Sequence, residues 1–488
     1  MPKHAIATNH AHLRLDASLT IPLYKQLYER LRGAILAGQL ERGARLPSTR
    51  LLASELGVSR STTALAYEML LLEGFLESRV GQGTVVARDL PAFLLTEQST
   101  SWQAEQSNAP KPRSARRRHE DQPSDAKTIF RGGEPALDLF PYDTWARLIA
   151  RHARHSLPAH ARYQAVAGYF PLREAIAAQI GITRGVRCTP DQIIMTAGSQ
   201  GALDLAIRTL LKPGEPAWIE NPGYFGARGA LAAAGARLVP VPVDEQGLDV
   251  ARGQMLCPTA RLVSTTPSHQ FPTGVTMSLH RRLALLEWAS QAEAWILEDD
   301  YDSEYRFSGR PLEALQGLDR DGRVIYIGTF SKTLFPALRL GYLVAPIALI
   351  EPLLATRTYI DVHVPILEQL ALNEFLREGH FARHLRRMLR HYQQRRDALA
   401  SELRAHMSEL LDVHAPEVGM HLVGWLPADK DDRRAAELAA QAGLSVTPIS
   451  DYSLAPLPRG GLLFGYASTS EEDIRIGVRR LAAALERL

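Results

Sequence analysis

A polar interruption from about Arg88 to Lys127 divides this 488-residue chain into two stretches that have to fold separately. Much of it reads STSWQAEQSNAPKPRSARRRHEDQPSDAK, rich in Ser, Gln, Pro and charge and nearly free of β-branched and aromatic residues. Such a segment buries too little apolar surface to offset the entropy of ordering it. A flexible linker is therefore expected over residues 89–127, between a first domain over 1–88 and a second over 128–488. The linker's Arg116–Arg117–Arg118 cluster offers charge to a DNA backbone, but a solvated run is the simpler expectation.

Composition narrows the class further. With 45% apolar and 22% charged residues the chain is that of a water-soluble globular protein. A net charge of +3 is too small for a polycation, so any nucleic-acid footprint has to be local. Cys188 and Cys257 make neither a disulfide framework nor a metal-ligand spacing, which suits a reducing cytoplasm, and no metal is expected. The N-terminus MPKHAIATNHAHLRLD lacks the charged-then-apolar pattern of a signal peptide. The apolar run LGYLVAPIALIEPLLA is broken by Pro346, Glu351 and Pro352, so neither secretion nor membrane insertion is expected.

In the first domain, LYKQLYERLRGAIL sets Leu23, Leu27, Leu31 and Ala34 or Ile35 on one helical face. GARLPSTRLLASELG follows, opened by Pro47 and stopped by Gly57, and VSRSTTALAYEMLLLEG starts a third helix with Ser59 as N-cap. Leu65, Met69 and Leu72 are expected to face inward on that helix. Its first turn presents Arg60, Ser61, Thr62 and Thr63, where a recognition helix meets base edges and phosphates. After Gly74, FLESRVGQGTVVA reads as a hairpin with Gly81 and Gly83 at the turn and Arg79 beside it, a wing with a basic tip. The alternative, a small helical protein-interaction domain, lacks a reason for that polar first turn.

LPSTRLLASELGVSRSTTALAYEMLLLEG…GQGT resembles the winged helix-turn-helix domain of the GntR regulators over nearly all of residues 20–87. The resemblance implies double-stranded DNA contacts from Arg50, Arg60, Ser61, Thr62 and the wing around Gly81 to Gly83. A contact position three residues before Tyr67, basic in some relatives, is Ala64 here, so the operator sequence does not carry over.

Beyond Thr128 short apolar runs alternate with helical patterns. DQIIMTAG, PAWIENPG, ARLVPVPV, ARLVSTTP, AWILEDD and RVIYIGTF are strand-like; SQGALDLAIRTLLKPG and LHRRLALLEWASQAEA are helix-like. This predicts an α/β fold with a mostly parallel sheet covered on both faces, and a smaller α+β lobe from Leu410 to Leu488.

Within this domain, Lys332 follows a strand in a loop of small and hydroxylated residues, where partial desolvation favours Schiff-base formation. Asp299 ends the apolar strand AWILEDD, placed to hold a pyridinium nitrogen protonated, and Tyr301 follows within reach of a ring hydroxyl. A surface acid cluster is the alternative, against which Trp295, Ile296 and Leu297 argue for burial. TAGSQGALDL turns from strand into helix through glycine, so its amides suit a phosphate with Ser199 and Gln200 assisting. Thr329 and Arg339 complete that phosphate site from the lysine loop, and Tyr224 of NPGYFG is placed to stack on a ring.

AGSQGALDL, NPGY, PSHQFPTG, EDDYDSEY and TFSKTLFPALRLGY, in that order, resemble the fold-type I aminotransferase domain over roughly residues 130–488. The resemblance implies pyridoxal 5′-phosphate (PLP) as cofactor, with Lys332 as the aldimine lysine, Asp299 at the pyridine nitrogen and Tyr301 at the ring oxygen. Ser199, Gln200, Thr329 and Arg339 would surround the phosphate. The layout resembles the MocR subfamily of GntR regulators, and implies a cytoplasmic, PLP-binding transcriptional regulator whose second domain senses PLP or an amine or amino acid. It further implies a homodimer, domain-swapped head to tail.

Two departures bear on activity. Phe271 stands where aminotransferases carry an asparagine at the ring hydroxyl, leaving that oxygen to Gln270, His269 or Tyr301. The substrate-carboxylate arginine of the enzymes aligns with Phe464, with Arg459 the nearest substitute. Without a bidentate clamp the bound amine is poorly oriented over the ring, so a sensor is expected rather than an efficient enzyme. The competing expectations are a PLP-dependent aminotransferase with an accessory DNA-binding domain, and a DNA-binding protein whose second domain holds no cofactor.

Overall fold

The structure is a computed structural model that describes residues 15–16, 18–19, 21–79, 83–88, 128–309, 312–486 and 488. The expected linker, its Arg116–Arg117–Arg118 cluster and Gly81 lie outside the described residues, and of Arg79 only the backbone is described. The chain forms two compact units, Met1–Gln122 and Pro123–Leu488.

In the first unit, α1 (Leu23–Leu36), α2 (Thr49–Leu56) and α3 (Arg60–Leu72) precede a hairpin of β1 (Leu76–Arg79) and β2 (Gly83–Val86). Leu27, Leu31 and Ile35 of α1 are buried, as their spacing predicts. Ser48 accepts from the Leu51 amide at 3.2 Å to cap α2, which ends at Gly57 in the left-handed region, where a side chain would be strained. Ser59 caps α3 by accepting from the Thr62 amide at 3.1 Å.

The inward face of α3 differs from the expected one. Leu65 and Leu72 are 41% and 82% exposed, and Thr63, Ala66, Tyr67 and Leu70 are buried instead. Two of these carry hydroxyls, which disguises the buried row as polar. The Thr63 hydroxyl donates to the Thr49 carbonyl at 2.8 Å and the Tyr67 hydroxyl to the Pro47 carbonyl at 3.0 Å, so both satisfy backbone acceptors near the start of α2.

The second unit is built on an eight-stranded sheet of β3 (Ile193–Thr196), β4 (Pro216–Asn221), β5 (Arg237–Asp244), β6 (Gly247–Leu248), β7 (Leu262–Thr265), β8 (Trp295–Asp300), β9 (Val324–Thr329) and β10 (Gly341–Val344). In space the order is β3-β10-β9-β8-β7-β4-β5-β6. The run β9-β8-β7-β4-β5 is parallel, while β10 is antiparallel to both its neighbours. Successive residues of each strand point to opposite faces. Leu262, Leu297, Ile325 and Ile327 pack with Leu203, Ala206, Leu231 and Leu353 of the helices on one side. Val263, Ile296 and Val324 pack with Leu285, Trp288 and Ala289 of helix Leu279–Gln291 on the other. Covering both faces is why these strands are near-continuously apolar.

The last part of the chain folds as a four-stranded antiparallel sheet, β11 (Asp412–Val413), β12 (His421–Trp425), β13 (Thr447–Pro448) and β14 (Gly461–Gly465), in the order β11-β12-β14-β13. It packs on helices His380–Met407 and Glu471–Leu485 through Leu399, Leu403, Phe464, Val478 and Leu481. Among the described residues no helix is long and apolar enough to cross a membrane.

Candidate cofactor site and nucleic-acid interface

The parallel strands β4, β8 and β9 deliver Asn221, Asp299 and Thr329 at their C-terminal ends, where open α/β sheets form their ligand crevice. At one end of the crevice, helix Gly198–Leu210 starts with Gly198 at φ 79°, followed by Ser199 and Gln200 in its first turn. Arg339 donates to the Ala197 carbonyl at 2.8 Å, and a Cβ at Gly198 would lie 3.1 Å from its guanidinium. The glycine thus brings a helix N-terminus and a cation together, a pairing that suits a phosphate. Thr329 is buried beside them and accepts from the Ser331 amide at 3.2 Å. The Gln200 amide donates to the Gly226 carbonyl at 3.1 Å, so its side chain fixes the neighbouring helix start.

At the other end, Lys332 is half-buried and donates to the Gly133 carbonyl at 2.6 Å. Its loop is held from behind, where the Tyr305 hydroxyl donates to the Lys332 carbonyl at 3.2 Å and a His384 ring nitrogen meets the Thr333 carbonyl at 3.0 Å. Asp299 is buried, and its Oδ1 has no hydrogen-bond partner among the described residues. Burial pushes the Asp299 carboxyl up to about 7; the Asp300 charge pushes the same way and the Lys332 ammonium opposes it. A carboxylate left unsatisfied in a buried crevice is costly unless a cationic donor meets it, and a pyridinium N–H is such a donor.

The acid run around Asp299 is interior, not a surface cluster, and its members alternate in role. Glu298 accepts from the Leu315 and Gln316 amides at 2.7 and 2.8 Å, with burial pushing it up to about 7. Asp300 accepts from Arg184 at 2.7 Å and from the Tyr326 hydroxyl at 2.8 Å. Only Asp299 and Tyr301 are left to serve the crevice.

The loop 266–274 supplies the third wall. Glu220, fully buried, accepts from the Thr265 and Thr266 hydroxyls at 2.6 and 2.9 Å, the Thr266 amide at 3.2 Å and the Gln270 amide at 3.1 Å. Gln270 also donates to the Pro222 and Phe271 carbonyls and accepts from the Thr273 amide and hydroxyl. It is wholly committed to shaping the loop, so the ring oxygen falls to His269 or Tyr301. His269 Nδ1 lies 2.9 Å from Asp302 Oδ1 and 3.0 Å from the Tyr301 hydroxyl. His269, Asp302 and His421 are buried close together; His269 faces Asp302, His421 Nε2 lies 3.1 Å from the Pro272 carbonyl, and burial favours the neutral form of His421. Tyr224 meets Phe271 edge to face at 5.9 Å, and Phe271 in turn meets Tyr301 and Tyr452 at 6.0 and 5.0 Å.

Two alignments fail in three dimensions. Phe464 packs edge to face with Phe130 at 5.5 Å in the core of the small lobe, whereas its neighbour Leu463 clusters with Phe271 and Tyr452. A one-residue shift in a strand exchanges faces, so the position that looks toward the crevice is Leu463. Arg459 donates to Asp412 at 3.2 Å from two nitrogens and lies over Trp425 at 5.2 Å, which engages it away from the crevice.

On the first unit, Arg50 and Arg60 are exposed in the first turns of α2 and α3. Ser61 is exposed and its hydroxyl lies 2.7 Å from that of Ser59; Thr62, half-buried, lies 2.8 Å from the same oxygen. Gly83 opens β2 at φ 79°, and the Arg45 guanidinium lies 3.5 Å from where its Cβ would be. Arg45 also bridges Val85, adding an edge to the wing. Arg45, Glu220, Asp302 as the partner of His269, and Leu463 complete the two sites beyond the residues expected from sequence. Glu220 alone carried a readable signal, an acid ending an apolar strand just as Asp299 does.

Comparison with known proteins matches residues 23–86 to the bacterial regulatory proteins of the gntR family and residues 133–481 to aminotransferase class I and II. The chain is 42% identical over 97% of its length to the "Probable rhizopine catabolism regulatory protein MocR" of Rhizobium meliloti, covering 95% of that protein. It is 34% identical over 92% of its length to the "HTH-type pyridoxine biosynthesis transcriptional regulator PdxR" of Corynebacterium glutamicum, covering 93% of it. Among solved structures, LysN, an α-aminoadipate aminotransferase of Thermus thermophilus complexed with N-(5′-phosphopyridoxyl)-L-leucine, matches with TM-score 0.68 at 32% identity, over 74% of this chain and 92% of that one. PLP is the cofactor of this fold, and the unpartnered Asp299 oxygen and the Gly198 cradle fit it.

Proposed function

The chain belongs to the MocR-type regulators, gntR-family winged helices joined to a class I and II aminotransferase domain, and we propose that occupancy of its PLP site sets its affinity for operator DNA. It is a DNA-binding transcriptional regulator with PLP as cofactor. When bound, PLP supplies an electron-accepting ring and an aldehyde reactive toward amines. Lys332 would meet the aldehyde, Asp299 the ring nitrogen and Tyr301 the ring oxygen, and Ser199, Gln200, Thr329 and Arg339 would surround the phosphate. Tyr224 lines the ring. Tyr301 keeps its proton, since burial raises its hydroxyl well above the ordinary value, so it acts as a donor.

The observation that carries this reading is the Asp299 carboxylate oxygen left without a partner in the crevice that also holds Lys332. A domain with no cofactor has no reason to keep it. The effector is PLP itself or an amine that displaces Lys332, and a coupling of about 1–3 kcal/mol shifts operator affinity by roughly 5- to 150-fold. Arg50, Arg60, Ser61, Thr62, Arg79, Gly81 and Gly83 form the DNA-contact set, with Arg45 added at the wing. The regulator acts in the cytoplasm as a homodimer, domain-swapped head to tail.

Titration of the purified chain with PLP tests the site. Uptake should give a visible absorption band that borohydride fixes to the peptide containing Lys332; a colourless protein would remove the cofactor from the account. Turnover of amino acids at about 1–1000 per second would instead favour an aminotransferase.

A further inference from the structure

Helix His380–Met407, which spans 28 residues of the second unit, carries seven arginines against two acids, Asp397 and Glu402. Four of the arginines serve the fold. Arg387 bonds the Leu139 carbonyl, Arg395 the Ala467 carbonyl, Arg396 the Pro416 carbonyl and Asp397, and Arg404 the Val413 carbonyl. The other three, Arg383, Arg386 and Arg390, are exposed on the face opposite buried Phe381, His384, Met388 and Tyr392. Their spacing places them within about 60° of arc along one row, which exposed Gln393 and Gln394 continue.

This row runs against local helix energetics. No acid stands in the first turn, where the helix dipole favours one, and Arg383 stands in the first two turns instead. Like charges three and four apart repel as well. Among the described residues Arg383 bonds the Gly379 and Glu378 carbonyls and the His380 ring, and the nearby Glu378 carboxylate turns to His380 at 3.0 Å. Arg386 and Arg390 form no ion pair with an acid among the described residues.

We propose that this arginine row is a second DNA contact, on the aminotransferase-like unit, that binds the phosphate backbone without reading sequence. The partner is fixed by charge complementarity. A row of guanidiniums about 10 Å long matches successive phosphates along a groove, and DNA is the polyanion that this chain binds. The two glutamines extend the row with neutral donors for sugar and phosphate oxygens. The contact makes the second unit part of the DNA grip, so that its state bears on affinity directly.

The test compares the full chain with its Arg383→Ala/Arg386→Ala/Arg390→Ala variant on a duplex that the wild-type protein selects from random sequence. One duplex carries the selected bases only; the other adds flanks on both sides. The wild type should bind the long duplex more tightly, and the variant should lose that advantage, roughly tenfold at physiological salt, with its salt slope reduced by about two to three. Binding to the short duplex and PLP uptake should be unchanged. An unaltered slope and affinity on the long duplex would overturn the proposal, as would a variant that changes oligomeric state instead, which would assign the row to self-association. Arg386→Glu alone, a change of two charges at one position against three over the row, should move the same readings in the same direction. Failure of the wild type to select any duplex would count against the operator-binding reading and is distinguishable from either result.

Discussion

The two units keep their functional polar groups in opposite conditions. On the winged helix, Arg50, Arg60 and Ser61 stand in solvent, and the hydroxyls of Ser61 and Thr62 lie 2.7 and 2.8 Å from that of Ser59 with hydrogen-bonding capacity to spare. In the second unit Asp299, Glu220 and His269 are buried, each set by neighbours chosen for charge and shape. A surface that meets DNA gains affinity from released counterions and needs little preorganisation. A crevice that holds one small cofactor needs its donors and acceptors fixed beforehand, at a cost in stability that the ligand relieves. The comparison implies that substitutions in the crevice are felt through the bound ligand and those on the winged helix through salt.

The largest expected effect is that of Lys332→Ala, which should abolish borohydride-fixed PLP while leaving the unfolding temperature of the apo-chain near wild type. Retention of a reducible band would place the covalent site elsewhere. Next is Asp299→Asn, which removes the partner of the ring nitrogen and should weaken PLP binding by roughly 10- to 100-fold, read by fluorescence titration, with operator binding in the absence of PLP unchanged. Arg60→Ala should weaken operator binding by about 1–3 kcal/mol with PLP uptake intact. Equal DNA affinity in that variant would mean that α3 is not the reading helix.

The smallest effect is a pH dependence. Burial raises Asp299 to about 7, Glu298 to about 7 and Glu304 to about 8, so the folded apo-chain holds protons that the unfolded chain has released. The stability from these groups is full below about pH 4 and is lost as pH rises through about 7 to 8. Apo-protein should therefore melt lower at pH 8.5 than at pH 6. PLP should recover the Asp299 share, and should not in Asp299→Asn. A melting temperature that rises with pH would contradict the burial of these groups.

The sequence and the structure agree where a residue's type and its period point the same way. The six apolar runs predicted as strands all lie in the large sheet, five of them because strands buried on both faces read as unbroken apolar text, and β5, whose burial alternates, because of its β-branched period. β10 hid inside a longer apolar run, since nothing local distinguishes a strand antiparallel to its neighbours from the start of the helix Ile347–Thr358. The inward face of α3 was misread because Thr63 and Tyr67 bury hydroxyls that bond backbone carbonyls from elsewhere in the chain. Leu463 was missed by one position, and in a strand one position is the whole difference between core and crevice. The pairing of His269 with Asp302 joins residues 33 apart in the chain, and no local pattern announces it.

The central claim is that PLP at Lys332 controls DNA affinity, and operator binding at fixed salt, with and without PLP, tests it most directly when wild type and Lys332→Ala are measured side by side. The wild type should change affinity by roughly 5- to 150-fold on adding PLP and Lys332→Ala should not respond. Wild-type affinity that is the same without PLP, with PLP, and with PLP plus amines, in a protein shown to have taken up the cofactor, would contradict it.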